Sequence, residues 1–99
     1  MIVFTRTASI AAGKNVAAIG VALQIAAYLK ALFGNEWEVL TPIDGNPFRV
    51  TWSSRAKNLA EFEERQLKLA ADQKYMQLVA SGVDNFVPGS VFDTLWRVI

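Results

Sequence analysis

A chain of 99 residues makes one domain, small enough that much of its surface stays exposed. It contains no Cys and no His, which removes disulfides, thiolate nucleophiles, Cys- or His-ligated metal, imidazole ligation of haem and the commonest general base. The net charge is +1 with no run of either sign, so nucleic acid and acidic membranes lack an electrostatic basis for binding, while 53% hydrophobic residues against 19% charged exceed the usual ~45–50% and fall short of the usual ~25%.

That excess of apolar side chains points to a subunit interface. The start, Met1-Ile2-Val3-Phe4-Thr5-Arg6, lacks the basic, apolar and small-residue succession of a signal peptide. A cytoplasmic protein is expected.

Residues 2–8 alternate Ile2, Phe4 and Arg6 with Val3, Thr5 and Thr7, a strand of mixed polarity. A first helix is predicted over 13–33, stopped by Gly34 and Asn35. Val16 to Phe33 approaches the ~18 apolar residues of a membrane span, but its Ala content, Gln24 and Lys30 favour a buried helix, and no membrane contact is expected. Its polar residues Lys14, Gln24 and Lys30 point in different directions at ~100° per residue, so no continuous polar face forms. The outer side of this helix, with Ala18, Ala22, Ala26, Val21 and Ile25, is therefore expected to be covered, and Ala22→Glu is expected to weaken association.

Residues 36–41 form a second strand with Trp37, Val39 and Thr41 on one side, followed by the turn cluster Pro42 to Pro47 and a third strand from Phe48 to Trp52. A second helix is predicted from Asn58, with Glu61 completing a capping box, to Ser81-Gly82. Glu61, Glu64, Arg65, Lys68 and Asp72 gather on one side of it, and Leu59, Phe62, Leu67, Leu69 and Ala70 on another. Glu61 and Arg65, and Glu64 and Lys68, are spaced as i,i+4 pairs. After a loop from Val83 to Gly89, a fourth strand alternates Val91, Asp93, Leu95 and Arg97 with Phe92, Thr94, Trp96 and Val98. This order fills residues 1–99 as a single ferredoxin-like α+β domain, a βαββαβ sandwich with a four-stranded antiparallel sheet and two helices on one face. Large apolar residues on both sides of the fourth strand suggest that the second face packs against another sheet, making a homodimer.

Several residues are candidates for chemistry. Gly13-Lys14-Asn15 fails as a phosphate loop, since Ala8 stands where its first Gly belongs and Asn15 follows the Lys. Trp37, Trp52, Trp96, Tyr28 and Tyr75 are aromatic enough to wall a pocket for a flat apolar ligand, or to fill a core and interface. Arg6, Arg49 and Arg97 lie on strands, where a guanidinium either clamps an anionic substrate or pairs with Asp93, Glu36 or Glu38. Among Glu63, Asp72 and Asp93 as general bases, Asp93 is the best placed, because the other two are expected to face water. The site expected from the residues comprises Asp93 and Arg49 as catalytic candidates and Tyr28, Trp52, Trp96 and Arg6 as substrate contacts, with no metal, haem or other cofactor.

Ala12-Gly13-Lys14 opening the first helix, Asn58-Leu59-Ala60-Glu61-Phe62 opening the second, Leu69-Ala70-Ala71-Asp72-Gln73-Lys74-Tyr75 late in it, and Gly89-Ser90-Val91-Phe92-Asp93-Thr94-Leu95-Trp96-Arg97 at the end carry a resemblance over nearly the whole chain. The sequence resembles the dimeric α+β barrel superfamily, and within it the NIPSNAP-like and antibiotic-biosynthesis-monooxygenase-like domains. The resemblance implies a homodimer of facing sheets and a cleft between helices and sheet in each subunit. Similar families use that cleft for cofactor-free oxygenation, haem chemistry, isomerisation or no known reaction, and the absence of His departs from the haem-using branch.

Two functions stand side by side. One is a cofactor-independent monooxygenase or isomerase-like enzyme acting on a small aromatic or conjugated compound. The other is a non-catalytic ligand-binding or assembly module whose apolar first helix contacts a partner or builds a higher oligomer. A roomy cavity bounded by Tyr28, Trp52 and Trp96 would support the first, and a filled core the second.

Overall fold

The computed structural model describes residues 1–99. The chain runs through β1 (Ile2–Ser9), α1 (Asn15–Phe33), β2 (Trp37–Leu40), β3 (Arg49–Ala56), α2 (Leu59–Ala70), α3 (Gln73–Gly82), a 3₁₀ turn at Val83–Asn85, and β4 (Phe92–Arg97). The strands form one antiparallel sheet in the order β2-β3-β1-β4. This is the ferredoxin-like α+β arrangement, with the helices on one face.

Register decides which side chains share that face, because neighbours directly opposite in a sheet point the same way. Phe4 lies opposite Ser54 and Leu95, Arg6 opposite Trp52 and Asp93, and Ala8 opposite Val50. Phe4, Ala8, Val50, Trp52, Ser54 and Ala56 are buried beneath the helices. The opposite, uncovered face carries Val3, Thr5, Thr7, Thr51, Ser53, Phe92, Thr94 and Trp96, and there the hydroxyls of Thr7 and Thr51 bond to each other at 2.8 Å.

The first helix ends where Gly34 takes a left-handed φ of 70° and returns its N–H to the carbonyl of Lys30, a conformation glycine adopts without steric cost. By length and composition this helix is long and apolar enough to cross a membrane. Its burial reverses the side expected to face outward. Ala18, Ala22, Ile25, Ala26 and Leu29 are buried with Val50 and Trp52 in a single core cluster, and the indole of Trp52 donates to the carbonyl of Ala22 at 3.1 Å. Small residues at four-residue spacing bring this helix down onto its own sheet. Its outer side is Val16, 90% exposed, together with Gly20, Leu23, Ala27 and Ala31.

The predicted second helix is two helices. Asp72 accepts the backbone N–H of Tyr75 at 2.8 Å and so caps a new start at Gln73. A carboxylate that captures an amide three residues ahead competes with continuation of the preceding helix. At the other end of α2, Asn58 accepts the N–H of Glu61, while Glu61 accepts from Lys57 and Arg65. The Glu61–Arg65 pair forms and no Glu64–Lys68 pair does. The inner side of α2 is Phe62, Gln66 and Leu69, whereas Leu59 and Leu67, expected on the apolar face, are exposed. Finally, α3 meets α1 where Gly82 is buried, and a Cβ at that position would come within 2.5 Å of Cγ1 of Val21.

Candidate functional site

A cavity of about 560 Å³ lies between the sheet and the helices. Phe4, Arg6 and Ala8 of β1, Trp52 of β3 and Trp37 of β2 form its floor. Ile25 and Leu29 of α1, Gln66 and Leu69 of α2, and Tyr75 and Val79 of α3 form its roof. The loop after α3 closes one end, held there by hydrogen bonds from Ala11 to Asn85 and from Val87 to Ser9. Ala8, a small residue on the floor, lines the cavity beside Arg6.

The polar feature of the cavity is an ion pair at one wall. Arg6 Nε donates to Asp93 Oδ1 at 2.7 Å and Nη2 donates to Oδ2 at 2.8 Å, the paired geometry in which guanidinium and carboxylate fit best. The bond to Asp93 raises the Arg6 pKa against the opposing effect of burial, with Tyr75 adding to the rise. Arg6 is therefore a permanent cation with two of its five N–H donors engaged by Asp93. Its guanidinium carbon also lies 5.7 Å from the centre of the Phe4 ring, within range of a cation–π attraction.

A second polar cluster sits at the break between α2 and α3. The hydroxyl of Tyr28 donates to Asp72, 2.7 Å from Oδ1 and 2.9 Å from Oδ2. Asp72 is held below the ordinary carboxylate range first by the N–H of Tyr75 and then by the Tyr28 hydroxyl, while Tyr28 is pushed up by its bond to Asp72. The same carboxylate thus caps the helix that aims Tyr75 into the cavity and ties that helix to α1.

The residues singled out from the sequence are distributed unevenly. Arg6 and Trp52 line the cavity and Asp93 pairs with Arg6 at its wall. Tyr28 lies outside, on the flank between α1 and α3, with the Lys74 ammonium 5.8 Å from its ring. Trp96 projects from the uncovered face, 57% exposed, with its indole 3.4 Å from the Thr5 hydroxyl. Arg49 points to the turn before β3 and donates to the carbonyl of Asn46 at 3.1 Å. Glu63 is exposed, while Asp72, expected to face water, is half-buried. The cavity is roomy, but Trp37 and Phe4 stand where Tyr28 and Trp96 were expected.

Phe4, Gln66 and Asp84 line the cavity without having been singled out. Phe4 shares the parity of Arg6 along β1, and Gln66 stands between Phe62 and Leu69 on the inner side of α2, so spacing carried a signal for both. No three His, Cys, Asp or Glu side chains converge. The lining accordingly offers a ligand aromatic surface and a few hydrogen-bonding groups.

No family model matches the chain, and no curated protein matches it in sequence. Solved structures do match. An uncharacterized NIPSNAP domain protein from Burkholderia xenovorans superposes with a TM-score of 0.83 at 16% identity, over 100% of this chain and 95% of that one. The fold is that of the NIPSNAP proteins. Antibiotic biosynthesis monooxygenase-like proteins share it. One candidate antibiotic biosynthesis monooxygenase, from Nitrosomonas europaea, has a TM-score of 0.75 at 15% identity over 100% of this chain and 99% of that one. SnoaB, a cofactor-independent oxygenase from Streptomyces nogalater, has 0.71 at 10% identity over 98% and 91%.

Proposed function

We propose that the helix–sheet cavity binds a small, flat, conjugated compound, and that the protein is a cofactor-independent monooxygenase or isomerase-like enzyme of the cytoplasm. The observation that supports this reading is the cavity itself: about 560 Å³ falls within the ~300–1,000 Å³ of small-molecule sites. Phe4, Trp37 and Trp52 supply ring faces, and Arg6 with Tyr75 places donors at one wall where an oxygen of the ligand would acquire negative charge. Asp93 serves here as the anchor of Arg6 and not as a base, because it pairs with Arg6 without itself lining the cavity. Fold neighbours include a cofactor-independent oxygenase, which agrees with this reading.

The same proposal includes a homodimer through the uncovered sheet face, where Phe92, Leu40 and Trp96 are exposed among threonines. Neither nucleic acid nor membrane is a partner in it. The alternative assembly role is favoured by one observation, the exposed outer stripe of α1 from Val16 to Ala31, which would build a higher oligomer. Thermal-shift screening with aromatic and quinone compounds, followed by oxygen uptake with those that bind, tests the enzyme reading. A raised melting temperature that is lost in Trp52→Phe and Tyr75→Phe variants is expected. A folded protein that responds to none of the compounds would overturn it.

A further inference from the structure

The cavity has two charged lining residues, Arg6 and Asp84. Arg6 is cancelled locally by Asp93 through two hydrogen bonds, whereas Asp84 stands exposed at the closing loop with no ion-pair partner. An incoming carboxylate would lose hydration, meet a guanidinium whose charge is already balanced and whose Nε–Nη2 edge is taken, and approach a second carboxylate. An uncharged ligand of the same shape keeps the aromatic contacts and avoids these costs. We infer that Asp93 acts as a charge selector: by neutralising Arg6, it makes the cavity accept uncharged conjugated ligands in preference to carboxylates of the same outline. The inference rests on the small-molecule reading above and specifies its ligand class.

A matched probe pair tests it, 2-naphthamide against 2-naphthoate, followed by calorimetry and by quenching of the fluorescence of Trp37 and Trp52. In the native protein the amide should bind about tenfold more tightly, a modest factor because the ion pair is only partly shielded from water. Asp93→Asn keeps the shape, leaves Arg6 uncompensated, and should improve naphthoate binding about five- to tenfold with little change for the amide. Asp93→Glu, which keeps the charge, should retain the native ratio. The double variant R6Q/D93N, again without net charge at the wall, should restore the preference for the amide, an outcome that simple structural damage would not produce. Equal or tighter binding of naphthoate by the native protein, or an unchanged ratio in Asp93→Asn, would overturn the selector while leaving the small-molecule reading intact. If the folded native protein binds neither probe, the selector falls, and the small-molecule reading is decided by the wider aromatic and quinone screen.

Discussion

The two faces of the sheet are made from the same strands and differ by one residue of register. Under the helices lie Phe4, Ala8, Val50, Trp52 and Ala56, all buried; one step along each strand lie Val3, Thr5, Thr7, Thr51 and Ser53, half-buried without any cover. The covered face mixes large with small side chains and holds a cavity, and the open face carries threonines with Leu40, Phe92 and Trp96 standing out among them. A hollow under cover suits a ligand. Uncovered projecting side chains suit a second sheet, since packed sheets approach to about 10 Å when their side chains interleave.

The sharpest way to break this comparison is Ala22→Glu. Ala22 has no exposure and packs over Trp52 on the covered side, so a carboxylate there would be buried without a partner and should cost several kcal/mol. Loss of the folded state by circular dichroism is expected, while Glu64→Gln on the exposed side of α2 should change stability by less than about 0.5 kcal/mol. Next in size, Trp52→Ala should lower unfolding free energy by about 3–5 kcal/mol, read from urea titration, whereas Trp96→Ala on the open face should leave the isolated subunit nearly as stable.

The open face answers to association instead. With an interface burying ~1,200–2,000 Å² in total, the native protein should sediment as a dimer at micromolar concentration, and Trp96→Asp should sediment as a monomer with native circular dichroism. A native protein that is monomeric there would leave the open face without its proposed partner. A smaller, pH-dependent effect is expected at Asp72. Since the folded state holds this carboxylate below its ordinary value, its contribution is complete above about pH 4 and is lost as pH falls through the folded value. The urea midpoint should therefore drop less between pH 6 and pH 3 in Asp72→Asn than in the native protein.

How much of this could be read beforehand depends on the range of the interaction involved. The alternation in β1 and the Gly34 stop are local, and both elements formed where the pattern placed them. The break at Asp72 was hidden because Leu69, Ala70 and Ala71 favour a helix, and only the capture of the Tyr75 amide decides against continuing it. Trp52 and Trp96 look alike as candidate walls, yet the pairing of Arg6 with both Trp52 and Asp93 sends Trp96 to the other face. That assignment is a property of strand pairing across more than eighty residues, and nothing near Trp96 announces it. The amphipathic side of α1 was similarly ambiguous: an apolar helix offers two plausible interiors, and contact with Trp52 selects one.

The close approach of α3 to α1 at Gly82 also limits how this chain can drift over evolutionary time. Any side chain at position 82 would collide with a valine whose branched carbon leaves it little rotational escape, so the two positions share a fixed volume. Gly82→Ala alone is expected to be selected against, yet to become neutral in a lineage that has first acquired Val21→Ala. The order in which the two replacements arise, more than their chemistry, governs which descendants of this sequence remain reachable.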